Sequence, residues 1–291
     1  MSSPSSVAIS HHTIAIQGVK GAFHELAARK FFGPAIELDM CETFPHLFRA
    51  LKSATADYGV VAIENTVAGT ILPNYALLRN TDYQIIGEVY LRIEHQLMAL
   101  PGQSIEGLRE VYSHPMAIQQ CQAFFETYPH IRLIEFHDTA GAAQWIQETN
   151  RTGSAAIASS LAAEHYGMEI LAAGIETDKR NFTRFLIIDP HATAEVSVEQ
   201  PSKASLCFNL LHKVGNLSQI LLVLSSHGMN LTKIQSLPLV GREWEYFFHI
   251  DLEFDTVSQY QLALAAIQPL VNELKILGEY PRGDKSGVLP Q

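Results

Sequence analysis

The sequence predicts a two-lobed α/β domain followed by a smaller α+β unit. From Thr13 to about Ile188, short β-branched runs alternate with helical patterns, which is how mostly parallel strands joined by crossover helices read. Beyond a stretch at 189–202 with a proline near each end, the order becomes strand, helix, strand, strand, helix, strand, the ferredoxin-like arrangement. A length of 291 residues suits two such domains.

The elements follow in order. Residues 13–17 read as a buried strand, 18–21 as a turn, and 22–31 as a helix stopped by Gly33 and Pro34. A strand at 36–38, a helix at 44–52, a strand at 58–63 and a helix at 71–79 come next. The run 83–100 is rich in strand formers and meets no turn signal before Pro101 and Gly102, so it reads as a crossover between lobes. A second set has strands at 110–113, 132–135 and 155–158, with helices at 115–125, at 139–148 and through Tyr166. A strand at 185–188 closes the domain. Two lobes with crossing strands fit the type II periplasmic-binding architecture, in which ligands sit beyond the carboxyl ends of the strands. The last unit has strands at 204–211, 230–238, 244–253 and 271–277 and helices at 217–227 and 257–267. The expected divisions are a loose tail at 1–12, a first domain at 13–190, a linker at 191–202, a second domain at 203–280 and a tail at 281–291.

Composition removes several classes of function. Hydrophobic residues make up 47% and charged residues 17%, which leaves no room for long disordered tracts. The net charge of −10 argues against a nucleic-acid partner. The longest apolar runs, such as 220–224, fall far short of the roughly 20 residues that span a bilayer, so no membrane partner is expected. The serine-rich start lacks both the basic residues and the apolar stretch of a secretory signal, which reads as cytoplasmic. The three cysteines, Cys41, Cys121 and Cys207, are too scattered for a disulfide framework or a zinc knuckle and read as buried thiols.

Four short segments carry polar chemistry at strand ends. Gly18 to Gly21 lies between a strand and a helix, where free amides favour an anion, although a bare GxxG also reads as a tight turn. Glu64-Asn65-Thr66 follows a strand and reads equally as a helix-capping turn. Ser113-His114-Pro115 leads into a helix carrying Gln120 and Cys121, with Ser113 as an alternative N-cap. Asn181-Phe182-Thr183-Arg184-Phe185 precedes a strand; its Arg and Thr could clamp a carboxylate and donate a hydrogen bond, or simply begin the strand.

In order and spacing, these four segments resemble the prephenate dehydratases, and the likeness extends to the end of the chain because the last unit is similar to the ACT regulatory domain of that family. Thr183-Arg184-Phe185 keeps the threonine-arginine-phenylalanine motif, Met116 stands where glutamine is usual, Thr66 where serine is usual, and Ala22 where a hydroxyl residue is common. The resemblance implies conversion of prephenate to phenylpyruvate with loss of water and carbon dioxide, without a cofactor or metal. It places Thr183 at the departing hydroxyl, with Arg184, Asn65, Thr66 and Glu64 in support and Glu64 or His114 as upstream proton sources. Gly18, Gly21, Ala22, Phe23, Ser113, His114, Gln120, Asn181 and Phe185 are implied as substrate contacts. It further implies L-phenylalanine as effector, held by Gly215, Asn216 and Leu217 and by Gln235, Ser236, Leu237 and Pro238 in a homodimer or homotetramer. Leu237 replaces the usual arginine of that site, with Arg242 near enough in sequence to compensate. About seventeen residues precede Gly18, so no chorismate mutase activity is expected. Arogenate dehydration and non-catalytic amino-acid binding are the alternative functions.

Overall fold

The computed structural model describes residues 12–192, 201–210, 213–238 and 246–285. In chain order its strands and helices begin with β1 Thr13–Gln17, α1 Phe23–Phe32, β2 Glu37–Cys41, α2 Phe44–Lys52, β3 Tyr58–Asn65, β4 Gly69–Thr70, α3 Leu72–Arg79 and β5 Gln84–Arg92. They continue with β6 Gln96–Ala99, β7 Glu110–Ser113, α4 Pro115–Gln120, α5 Gln122–Phe125, β8 Arg132–Glu135, α6 Thr139–Glu148, β9 Ser154–Ala158, α7 Ser160–Tyr166 and β10 Glu169–Ala172. Then come β11 Phe182–Asp189, β12 Lys203–Leu210, α8 Asn216–Ser226, β13 Asn230–Pro238, β14 Tyr246–Glu253, α9 Val257–Ile267 and β15 Asn272–Tyr280.

Two sheets make the two lobes. The first has the order β2-β1-β3-β11-β5 with β4 added on β3, and the second β10-β6-β9-β7-β8. The long extended run divides at 93–95, between β5 in the first sheet and β6 in the second, and the chain returns into β11. At the crossing Ile93 N donates to Asn181 O at 2.8 Å. The expectation of mostly parallel strands holds for β1 with β2 and β3 and for β7 with β8 and β9, but β6 runs antiparallel to both β9 and β10.

Small residues let helices close on the second sheet. Ala156 and Ala158 face Ala140, Ala143 and Ala162, whereas Ala155 and Ile157 on the opposite face meet Ala117, Cys121 and Phe125. Side-chain oxygens cap the helices on the first of these faces: Asp138 accepts from Gly141 N at 2.7 Å and Ser159 from Ala162 N at 3.1 Å. The helix expected at 115–125 is instead two short ones, interrupted at Cys121.

The chain forms two compact units, one from the described residues of Met1–Thr70, Val89–Phe185 and Lys285–Gln291, the other from those of Ile71–Glu88 and Leu186–Asp284. The second contains the four-stranded sheet β13-β14-β12-β15, the ferredoxin-like order. Strand β12 alternates cleanly. Its Ala204, Leu206, Phe208 and Leu210 pack into one apolar core with Ile220, Leu224, Tyr260 and Ile267. Its Lys203, Ser205 and Asn209 bear polar partners: Lys203 Nζ lies 3.0 Å from both carboxylate oxygens of buried Glu88, and Ser205 Oγ lies 2.6 Å from Asp251 Oδ1 and from the Tyr280 hydroxyl. The linker reading at 191–202 falls within this unit, and its residues 193–200 lie outside those described, as do residues 1–11 of the amino-terminal tail and 286–291 of the carboxyl-terminal one. Among the described residues no helix is long and apolar enough to cross a membrane.

Candidate active site

Two backbone amides set the polarity of the site. Val67 N and Ala68 N donate to Asn65 Oδ1 at 2.9 and 2.6 Å, just past the end of β3. Asn65 must therefore present Nδ2 on its other side, where it meets Asn181 Oδ1 at 2.7 Å and Thr183 Oγ1 at 2.9 Å. Asn181, with its oxygen taken, turns Nδ2 to Gln120 Oε1 at 2.9 Å. Asn65 and Thr183 are each 8% exposed and Asn181 1%, so these bonds are screened from competing water. Thr183 Oγ1 accepts from Asn65, and among the described residues no acceptor meets its O–H. The hydroxyl is oriented as a donor.

Strand β11 begins at Phe182, earlier than expected, so the threonine-arginine-phenylalanine segment lies within the strand. Alternation then sends Arg184 to the opposite face from Thr183, and Arg184 is buried there. The two side chains therefore lie on opposite faces of β11. Phe185 is buried in the core with its ring edge-on to His24 at 5.0 Å, rather than open to substrate. Burial pushes that histidine down to about 3, so it stays neutral. Glu64 precedes Asn65 in β3 and points to the opposite face, which separates it from Thr183. Thr66 Oγ1 donates to Arg180 O at 2.8 Å and accepts from Phe182 N at 2.9 Å, so its hydroxyl pins the start of β11 to the end of β3.

The two glycine amides of the turn are engaged within the protein. Gly18 N donates to Cys41 O at 2.9 Å and Gly21 N to Glu25 Oε2 at 2.6 Å, so neither amide is available to a substrate carboxylate. An internal carboxylate meets the Gly21 amide. Glu25 also meets Arg29 Nε at 2.8 Å and His165 Nε2 at 3.1 Å, and although burial opposes its charge, the Gly21 amide, Arg29 and His165 together keep its carboxyl below the ordinary range. Both glycines adopt positive φ, +104° and +84°, and a Cβ on Gly21 would come within 2.5 Å of Ala162 Cα. Ala22 is buried as the N-cap of α1. Phe23 does reach the site, edge-on to His95 at 5.5 Å.

Ser113 is fully buried and its hydroxyl donates to Ile157 O at 2.6 Å, a bond that ties β7 to β9 and removes it from substrate binding. His114 is exposed at the N-cap of α4, where Nδ1 accepts from Met116 N at 3.2 Å. Gln120 and Asn181 border a cavity of about 440 Å³ whose wall also includes Val67, Met116, Glu176 and Asp178, but Thr183 is not in that wall. Two residues near the site escaped the sequence reading. His95 is buried with Nε2 2.9 Å from Gln120 Oε1. Asp138 would lie 3.1 Å from a Cβ on Gly18, and burial raises its carboxyl above the ordinary range.

In the second unit Gly215, at φ +85°, is the N-cap of α8, and among the described residues nothing lies within 4 Å of where its Cβ would be. Asn216 and Leu217 open the helix behind it. Gln235, Ser236, Leu237 and Pro238 end β13, an edge strand of its sheet. Arg242 lies outside the described residues.

Comparison with known proteins places this geometry. The family model for prephenate dehydratase matches residues 14–193. A bifunctional chorismate mutase/prephenate dehydratase of Aquifex aeolicus is 36% identical over 92% of this chain and 73% of its own length. Arogenate dehydratase 5 of Arabidopsis thaliana is 37% identical over 92% of this chain and 67% of its own. Among solved structures, the prephenate dehydratase of Arthrobacter aurescens in complex with L-Phe superposes with a TM-score of 0.83 at 26% identity, covering 96% of this chain and 92% of that one. GqqA, described as a novel type of quorum quenching acylase, superposes with a TM-score of 0.85 at 32% identity, covering 93% of this chain and 98% of that one. The chain that carries the Asn65-Thr183 pair belongs to the prephenate dehydratase family.

Proposed function

We propose that this protein dehydrates and decarboxylates prephenate to phenylpyruvate, with Thr183 as the hydrogen-bond donor to the departing ring hydroxyl. The observation that carries this is the bond from Asn65 Nδ2 to Thr183 Oγ1, which occupies the hydroxyl as acceptor and leaves its proton to donate. The C–OH bond breaks with uptake of one proton, releasing water. The bond to the ring carboxylate breaks in turn, and its electron pair completes the aromatic ring as carbon dioxide departs. A threonine hydroxyl is too weak an acid to supply that proton by itself, so Thr183 orients the leaving group, and the proton that it passes on is replaced from solvent water. Gln120, whose Nε2 meets no partner among the described residues, donates to a substrate carboxylate.

The second unit acts as an ACT domain that binds L-phenylalanine. The open front of α8 at Gly215 offers backbone amides to the amino-acid carboxylate, and the segment Gln235 to Pro238 of a partner subunit closes the site in a homodimer or homotetramer. The likeness to a structure bound to L-Phe supports this reading.

A second reading, acyl-amide hydrolysis, comes from the likeness to GqqA. The geometry favours it less. A hydroxyl nucleophile must pass its proton to a base, but Thr183 has an amide donor at its oxygen and Ser113 gives its proton to a backbone carbonyl. Burial raises the three cysteine thiols to about 11 or 12. Purified protein is to be assayed by absorbance for phenylpyruvate from prephenate, with arogenate and an N-acyl amide in parallel. Prephenate turnover above the other two is expected. Preference for arogenate moves the assignment to that substrate, and hydrolysis of the amide alone overturns it.

A further inference from the structure

We infer that His95, as the neutral Nε2–H tautomer, is a positioning residue that holds the Gln120 carboxamide with its nitrogen turned to the cleft. The inference rests on the proposed role of Gln120 as a substrate donor. Polarity runs in one direction through the site. The amides of Val67 and Ala68 orient Asn65, Asn65 orients Asn181, and Asn181 Nδ2 claims one lone pair of Gln120 Oε1. The second lone pair faces His95 Nε2 at 2.9 Å. An oxygen in that position accepts and never donates, so His95 must carry its proton on Nε2 and leave Nδ1 bare.

The surroundings agree with that assignment. His95 is 2% exposed and among the described residues its Nδ1 has no hydrogen-bond partner, as expected of the nitrogen left unprotonated. Its backbone N–H donates to buried Glu176 Oε2 at 2.9 Å and Phe23 packs edge-on against the ring, so the imidazole is fixed at both ends. A hydrocarbon side chain could fill the space against Phe23 without stranding a polar atom. What the imidazole adds is the Nε2–H donor. With both lone pairs of Oε1 occupied, Gln120 cannot reverse its amide without placing NH2 against two donors.

The role predicts a particular kinetic signature. Thr183 takes its orientation from Asn65 and not from His95, so losing the imidazole should loosen substrate binding while the chemical step persists. In His95→Leu we expect KM for prephenate to rise about tenfold, the effect of losing roughly one hydrogen bond, with kcat within about threefold of wild type. His95→Gln places an amide nitrogen as many bonds from Cα as imidazole Nε2, and should restore KM to within about threefold. If His95→Leu does not fold, the His95→Gln variant and the spectrum below decide the question. In 15N NMR of the full chain near neutral pH, the resonances lost in His95→Gln should show a neutral ring protonated at Nε2. Unchanged KM in folded His95→Leu, a His95→Gln variant with KM raised as in His95→Leu, or a wild-type ring that is protonated at Nδ1 or doubly protonated overturns the inference. A wild type without prephenate turnover removes the proposed substrate instead, and the tautomer then stands or falls on the NMR measurement alone.

Discussion

Asn65 Nδ2 donates to Thr183 Oγ1 at 2.9 Å, joining residues 118 positions apart in the chain. The bond makes a weakly acidic hydroxyl into a directed donor. Thr183→Ala should lower kcat by roughly two to four powers of ten with the fold intact. Asn65→Asp is a sharper probe because it keeps the shape and the bonds from Val67 N and Ala68 N but puts an acceptor where Thr183 expects a donor. The hydroxyl then turns toward the carboxylate, and kcat should fall by at least about a hundredfold. Steady-state assays on prephenate check both variants, and turnover within about threefold of wild type would refute the role.

Gly21→Ala should be destabilising and should not be rescued by Ala162→Gly. The new Cβ would meet Ala162 Cα at 2.5 Å and Ala162 N at 2.9 Å, and these backbone atoms remain when the Ala162 side chain is removed. The positive φ adds strain of its own. Thermal melts of the single and double variants distinguish a backbone clash from a side-chain clash.

Lys203 and Glu88 form an ion pair with side chains 1% and 0% exposed. Glu88→Gln removes one charge and leaves the ammonium buried, which typically costs ~3–5 kcal/mol. Glu253 Oε1 at 3.7 Å softens the loss, so the lower end is expected. Replacing the pair together, as Lys203→Met with Glu88→Leu, should recover much of the stability in urea titrations. A double variant as unstable as Glu88→Gln would show that the pair does more than neutralise itself.

Asp138 supplies a pH test with a definite sign. Burial disfavours its charged form and outweighs the Gly141 amide and the neighbouring His137 and His114, so the folded carboxyl titrates above its unfolded value. Its ionisation therefore penalises the fold at neutral pH, and the penalty fades as pH falls through the folded value toward the unfolded one. Asp138→Asn keeps a cap for α6 and should melt at or above the wild-type temperature at pH 7, with the gain gone near pH 3. A gain that persists at pH 3 would assign the effect to something other than charge.

Calorimetric titration with L-phenylalanine tests the second unit. Heat of binding is expected for the wild type and none for Gly215→Val, with dehydratase turnover kept in both. The valine would put a branched side chain at φ +85° in front of the first amides of α8. A wild type that gives no heat would leave this unit an assembly module.

The sequence was legible where periodicity was strong and failed where several patterns coincide. The ranges of β1, α2, β7, β8, α6, β13 and α9 match their expected residues, with a side-chain cap marking α2, α6 and α9, a clean alternation marking β13 and Pro115 following β7. Strand β11 began three residues early because Phe182 and Thr183 are themselves strand formers, and that shift decides which side Arg184 faces. Strand β10 was missed, being four residues with no turn cluster to bound it. The glycine turn showed its shape but not that Glu25, one helical turn on, would claim its amide. His95 carried no signal at all: it sits inside a continuous extended run, and its partner Gln120 is 25 residues away.

The bond from Ile93 N to Asn181 O fastens the two ends of the second lobe to each other, so residues 93–181 leave and rejoin the first lobe at one point. That point is also the site. If the lobes part about these two strands, Asn181 lies on the pivot and travels least, so Asn65, Asn181 and Thr183 stay together through the swing. Gln120, on the second lobe, is bonded to this point through Asn181 and His95. The same adjoining ends make 93–181 a segment whose termini could be joined by a very short linker and the chain reopened elsewhere.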